Sequence, residues 1–163
     1  MITKKWTGDD GQAAALRARG KRLTRPRRLI LDAVRASDAH PSVAAVYRLV
    51  RRRLPRLSLA TVYRNLRMLA AEGLLSERAD LAGMRFDGNT DPHDHFTCVA
   101  CGRIHDVPAL AAPRVRARVA SRTGFEILTQ RIEFYGRCGV CRRGPSTHPT
   151  ARRSYARAKP QGE

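Results

Sequence analysis

The chain has 163 residues, enough for one ordinary domain or two small ones, the smaller of which would need a staple such as a bound metal. Its formal charge of +18 is unevenly spread: residues 1–90 hold 19 Lys and Arg against 8 Asp and Glu, residues 91–141 hold 7 against 5, and residues 142–163 hold 6 against 1. A basic front half beside a nearly neutral middle suits a polyanionic partner, and the lack of any apolar run near ~18–20 residues excludes a membrane-spanning helix.

In chain order, residues 1–11 read as a loose polar arm without the apolar core of a signal peptide, so a cytoplasmic protein with reduced cysteines is expected. A first helix is predicted over 12–19. Thr24 reads as the N-cap of a second helix over 25–37, with Pro26 in its first turn and Leu29, Ile30, Ala33 and Val34 as its apolar stripe. Asp38-Ala39-His40-Pro41 is a break, and Ser42 starts a helix in which Val43, Val46, Tyr47 and Val50 follow at i, i+3, i+4, i+7 spacing, with Pro55 stopping it. Ser58 caps a further helix over 59–72, closed by Gly73, with Leu59, Val62, Leu66 and Leu69 inward and Thr61, Arg64 and Arg67 outward, Tyr63 at the margin. Two short strands, 74–78 and 84–86, follow around a turn through Asp80-Leu81-Ala82-Gly83. Helices followed by a β-hairpin in this order are the layout of a winged helix-turn-helix, whose capped helix has the size and polarity to enter a major groove.

Residues 87–92 read as a linker rich in Asp, Asn, Gly and Pro. Beyond it, 96–99 and 103–107 read as strands, Pro108 opens a helix to about Thr123, and 125–134 returns as a strand. This is a small α/β unit whose core needs help from a metal, a second subunit, or both. From residue 143 onward Pro, Ser, Thr and Arg dominate, which predicts a disordered basic tail.

All four cysteines fall into two C-x-x-C pairs, Cys98/Cys101 and Cys138/Cys141. Each such turn points two thiolates at one place, and two turns complete the four-sulfur shell that zinc prefers. Disulfides or unrelated thiols are the alternative, disfavoured in a reducing compartment. His93 and His95 lie too close in sequence to Cys98 to serve the same centre, so two metal positions of different character are expected: one closed and structural, one softer.

Ser58-Leu59-Ala60-Thr61-Val62-Tyr63-Arg64-Asn65-Leu66, Arg85-Phe86-Asp87, His93-Asp94-His95, Cys98-x-x-Cys101-Gly102 and Cys138-x-x-Cys141 together resemble the ferric uptake regulator family over about residues 12–142. The resemblance implies an α+β protein with a winged helix-turn-helix DNA-binding domain and arm over 1–88. A small zinc-stapled α/β dimerisation domain over 89–142 and the tail over 143–163 complete it. It implies a homodimeric repressor, not an enzyme, that binds a palindromic double-stranded operator and takes no small-molecule substrate beyond metal and peroxide. Cys98, Cys101, Cys138 and Cys141 are then the structural Zn2+ ligands. His40, Asp87, His93, His95 and Asp106 are then the regulatory ligands, a mixed nitrogen and oxygen shell suited to Fe2+ or Mn2+. Taken singly, His40 reads as a helix-entry residue, Asp87 as a turn former and Asp106 as a strand-end carboxylate.

Within the resemblance, Asp106 stands where iron-uptake members usually carry glutamate, which points to the peroxide-sensing branch. There Fe2+ and hydrogen peroxide oxidise a ligand histidine, His40 or His93 by motif, and the operator is released. The four cysteines are all taken by the structural site, so none remains for a thiolate-containing zinc-sensing site. An iron-uptake regulator is the alternative, with zinc or manganese uptake behind it. Arg19, Thr61, Tyr63, Arg64 and Arg67 are the candidate DNA contacts, and Arg51-Arg52-Arg53 reads first as a solvated helix end. Two readings from other classes are a metalloenzyme using an open His/carboxylate iron site, and a zinc-ribbon scaffold for RNA or protein. The small second unit argues against the first, and the capped helix with its hairpin against the second.

Overall fold

A computed structural model of the chain describes residues 9–80, 83–109 and 112–144. The first eight residues of the expected arm, Leu81 and Ala82 of the expected turn, and the expected tail from residue 145 lie outside the described residues. The chain divides into two compact units, one ending at Asp91 and the other starting at Pro92.

The first unit comprises α1 (Asp9–Ala18), α2 (Arg25–Arg35), α3 (Val43–Arg51), α4 (Leu59–Ala71) and an antiparallel hairpin of β1 (Ser76–Asp80) and β2 (Gly83–Asp87). Two helices have working caps: the Ser42 side chain accepts from the Ala45 amide, and that of Ser58 from the Thr61 amide. Gly73, at φ 71°, closes the end of α4 in the left-handed conformation that glycine adopts without strain. Thr24 occupies the N-cap position of α2, but its hydroxyl makes no capping bond. Pro26 at N2 has removed one of the two amides such a hydroxyl would serve.

Ile30, Leu31 and Val34 of α2, Val46 and Val50 of α3, and Val62, Leu66 and Leu69 of α4 close on one core, with Leu75 and Phe86 entering from the hairpin side. Two inward assignments need correction. Leu31, absent from the expected stripe, is buried, and Leu59, expected inside, is 48 % exposed. Leu59 is the first residue of α4, ahead of the turns that face α2 and α3. α1 also begins earlier than expected, so residues 9–11 are helix.

The second unit holds a three-stranded sheet of order β4-β3-β5, from β3 (His93–Cys98), β4 (Ile104–Pro108) and β5 (Glu133–Gly136), with α5 (Ala112–Thr123) and a short α6 (Gly139–Arg143). β3 pairs antiparallel with β4 and parallel with β5. Strand β3 starts earlier than expected and takes in the His-x-His. Pro108 ends β4 and does not open the helix, a strand-end position where its missing N–H is tolerated. Of the expected strand over 125–134 only the last two residues belong to β5, which runs on to Gly136. The ladder extends only where β3 offers partners, from His95↔Glu133 to Cys98↔Gly136. Phe125 and Leu128, outside it, are 67 % and 81 % exposed.

Candidate metal centres and nucleic-acid face

The four cysteines converge at one end of the second unit's sheet. Cys98 ends β3, the turn after it carries Cys101, and Cys138 and Cys141 flank the start of α6 just after β5. The parallel pairing of β3 with β5 brings the two C-x-x-C segments together, since Cys98 lies opposite Gly136 and the Val99 amide donates to the Gly136 carbonyl at 2.8 Å. All four Sγ atoms lie within 4.8 Å of one another, and none is in a disulfide. Cys101 Sγ and Cys138 Sγ are 4.0 Å apart. A tetrahedron with ~2.3 Å metal–sulfur bonds has edges of roughly 3.8 Å, so the cluster has the dimensions of a four-thiolate zinc shell.

The protonation chemistry agrees. Burial pushes the Cys98 thiol up, but amides of Cys138, Cys101 and Ala100 bond to its sulfur and bring it down to about 6. The Cys138 amide donates at 3.3 Å. Cys101 is raised to about 12, by burial first and then by the sulfurs of Cys98 and Cys141, against a lowering bond from the Arg103 amide. One thiolate thus forms readily and its charge discourages the next, a conflict that a central dication removes.

The five nitrogen and oxygen candidates fall into two sets, one in each unit. In the first unit, His40 Nε2 stands 3.3 Å from Asp87 Oδ2, both side chains almost fully buried. The local chain explains the pairing. The Phe86 amide donates to the Pro41 carbonyl at 3.1 Å and Ser42 bridges to Arg85, so the His-Pro segment is stitched to β2. His40 is the one non-glycine residue with positive φ among those described, at 46°, a conformation held by this stitching. Asp87 Oδ1 accepts from the Asn89 amide at 2.8 Å, an Asx turn that fixes the carboxylate and leaves Oδ2 toward His40.

In the second unit, His93 and His95 share one face of β3, and Asp106 of β4 lies directly opposite His95. His93 Nε2 is 3.0 Å from His95 Nε2 and 3.8 Å from Asp106 Oδ1. As neutral tautomers one ring can donate to the other. Adjacent donors of an octahedral ion with bonds of ~2.1 Å are also roughly 3.0 Å apart, so the donor set fits a divalent cation as it stands. His105 points to the opposite face, where its ring lies near Phe96. Gly88 was missed from sequence. A Cβ there would stand 2.8 Å from the Arg35 Cα, so the residue after Asp87 must be glycine for β2 to end against α2. No local sequence signal reveals that contact.

The outer face of α4 presents Leu59, Ala60, Tyr63, Arg64 and Arg67, with Tyr63 44 % exposed. The Thr61 hydroxyl shares a 2.8 Å hydrogen bond with Ser58, and Asn65 is held by Arg27 at 3.1 Å. Arg19 and Arg67, singled out from the sequence, are engaged within the unit. Arg19 pairs with Glu72 at 3.2 Å beside Lys21, and Arg67 pairs with Glu77 of the hairpin at 3.1 Å. Among the described residues no helix is long and apolar enough to cross a membrane.

A winged helix-turn-helix followed by an α/β unit, with one cluster of thiols and others of imidazole and carboxylate, defines a winged-helix protein equipped for metal ions. Residues 18–135 match the Ferric uptake regulator family, and the chain belongs to it. It is 37 % identical to the peroxide operon regulator of Bacillus subtilis, over 77 % of this chain and 88 % of that one. It is 33 % identical to the peroxide-responsive repressor PerR of Staphylococcus epidermidis, over 79 % of this chain and 87 % of that one. Among solved structures it resembles the ferric uptake regulator of Vibrio cholerae, with a TM-score of 0.64 and 26 % identity, over 80 % of this chain and all of that one.

Proposed function

We propose that the chain is a homodimeric, metal-dependent repressor that binds a palindromic duplex operator and releases it in response to hydrogen peroxide. Cys98, Cys101, Cys138 and Cys141 hold a structural Zn2+. His40, Asp87, His93, His95 and Asp106 together hold a regulatory Fe2+ or Mn2+. The observation that carries the reading is the donor chemistry: among the described residues the thiols are gathered into one cluster, and the second set of donors is made of imidazoles and aspartates. The kinship with peroxide-responsive repressors adds the signal.

The ligands of the second site come from both units, so filling it biases how the protein presents its DNA-binding elements, a two-state device driven by ligand. Fe2+ held by these residues would supply the redox chemistry that breaks the O–O bond of peroxide, one oxygen passing to a ligand imidazole carbon and the other leaving as water. His40 and His93 are the residues that take the damage. One added oxygen on either ring removes a nitrogen donor irreversibly. His40 has little freedom to move away, since its backbone is held at positive φ by the stitching to β2.

On the DNA side, Tyr63 and Arg64 project from α4 toward base edges, with Thr61 beside them, and Arg64 has the fork geometry for guanine. Dimerisation falls to the second unit. Its exposed Val115, Val119, Phe125, Leu128 and Phe134 are apolar surface of the kind that a second copy buries.

The test is peptide mass analysis of the Fe2+-loaded protein after a brief peroxide pulse, with the Mn2+-loaded protein as control. One added oxygen on peptides bearing His40 or His93, only with iron, is the expected outcome. Unmodified histidines under a pulse that leaves the thiols intact would sink the peroxide reading. They would favour an iron-level regulator, a reading that the likeness to the Vibrio cholerae protein keeps in play.

A further inference from the structure

We infer that the last turn of α3 and the connection to α4 form a phosphate-gripping surface, in which Arg48, Arg52, Arg53 and Arg56 hold the backbone of the same DNA duplex that α4 reads. The inference deepens the DNA-binding reading above and rests on it.

The two ends of α4 are electrostatically unlike. At the C-terminal end Glu72 takes up Arg19 and Lys21, and Glu77 takes up Arg67, so three cations share two carboxylates inside the unit. Ahead of the N-terminal end, Arg48 of α3 and Arg52, Arg53 and Arg56 of the connection are exposed, and none has a carboxylate partner among the described residues. The sequence offers none nearby, since no Asp or Glu occurs between Asp38 and Glu72. Arg51 differs from its neighbours: its guanidinium lies over the Tyr47 ring, 5.6 Å from the centroid.

A solvated helix end that complements its own dipole explains part of this pattern. Arg51 and Arg52 sit at the negative C-terminal end of α3, where cations are favoured. The same rule fails for Arg56. It lies two residues ahead of Ser58, the N-cap of α4, where the helix dipole is positive and a cation is disfavoured. The first turn of α4 also has no acidic residue to offset that field. Arg48 and Arg52, at i and i+4, add a like-charge pair of the kind that weakens a helix. Unneutralised guanidinium groups thus line the stretch of chain that leads into the first turn of α4, whose amides already attract anions. That arrangement costs the isolated protein and is relieved by phosphate, which guanidinium binds through paired hydrogen bonds.

The experiment uses the full chain loaded with zinc and Mn2+, and a duplex that the wild-type protein selects from a random-sequence pool. Affinity is measured by fluorescence anisotropy across a series of NaCl concentrations. For Arg52→Gln/Arg56→Gln the plot of log affinity against log salt is expected to flatten by about 2 per protomer, one unit for each phosphate left without its guanidinium. The loss should be the same factor on selected and scrambled duplexes. Arg52→Lys/Arg56→Lys should retain the slope. Zinc content and melting temperature of each variant establish that the fold is intact. A glutamine double variant with wild-type slope overturns this inference alone, as does weakened affinity at unchanged slope. A pool that yields no selected duplex overturns the DNA-binding reading itself, and this inference with it.

Discussion

Gly88 shows how a single residue sets the position of a neighbouring carboxylate. A methyl group there would meet the Arg35 backbone at 2.8 Å from Cα and 3.2 Å from N, with nothing flexible to yield. Gly88→Ala is therefore expected to lower the stability of the first unit by ~1–3 kcal/mol, the usual cost of overpacking. Because Asp87 immediately precedes it, the same substitution should weaken Mn2+ binding while zinc content stays unchanged. Thermal unfolding read alongside metal analysis checks both. Glu72 gives a second expectation at this scale. Its carboxyl is held below its ordinary value of 4.5, first by the hydrogen bond from Lys21, against the raising effect of burial, with Arg19 adding to the lowering. The unfolded chain therefore binds the proton more readily, and stability rises with pH across this window. The contribution is complete above about 4.5 and is lost as pH falls through the lowered folded value. Glu72→Gln should flatten the acid limb of melting temperature against pH, lowering the melting temperature near neutrality and changing little in acid, where the wild-type carboxyl is already protonated.

At the scale of elements, α4 illustrates what local sequence can specify. Ser58 at one end and Gly73 at the other are signals in their own neighbourhoods, and the helix between them runs as the spacing of Val62, Leu66 and Leu69 requires. Ser58→Ala removes the acceptor for the Thr61 amide and should cost about 1 kcal/mol in thermal or urea unfolding. Unchanged stability would mean that water serves the amide equally well. The strands were less legible, because a strand exists only where a partner lies. The pattern over 125–134 alternates well enough, yet the ladder with β3 reaches back only to Glu133. The apolar Phe125 and Leu128 belong to no core of this chain. The site followed the same division. The cysteine pairs and the His-x-His announce themselves by spacing. The pairing of His40 with Asp87, by contrast, depends on a bridge from Ser42 to Arg85 that no local signal encodes.

At the scale of the whole molecule, the chemistry of the two donor sets should separate holding the fold from reading the signal. The thiol cluster is closed, with Cys98 fully buried and Cys141 nearly so, and a small sheet with few buried side chains of its own depends on it. The imidazole and aspartate donors are borderline to hard and lack thiolate, so a cation there binds less tightly and exchanges more readily. Stepwise titration with a chelator should then remove the two metals in order. The first step is expected to release Mn2+ or Fe2+ and abolish binding to a selected duplex, with far-ultraviolet circular dichroism and zinc content unchanged, and added Mn2+ should restore binding. The second step should release zinc and unfold the second unit, as Cys141→Ser should from the outset. His40→Ala should behave permanently as the first-step protein: zinc-bound, folded, and indifferent to added Mn2+ in its affinity for DNA. If one chelator concentration removed both metals together with the fold, the two clusters would be a single cooperative structural unit. Neither could then act as a sensor independent of the other.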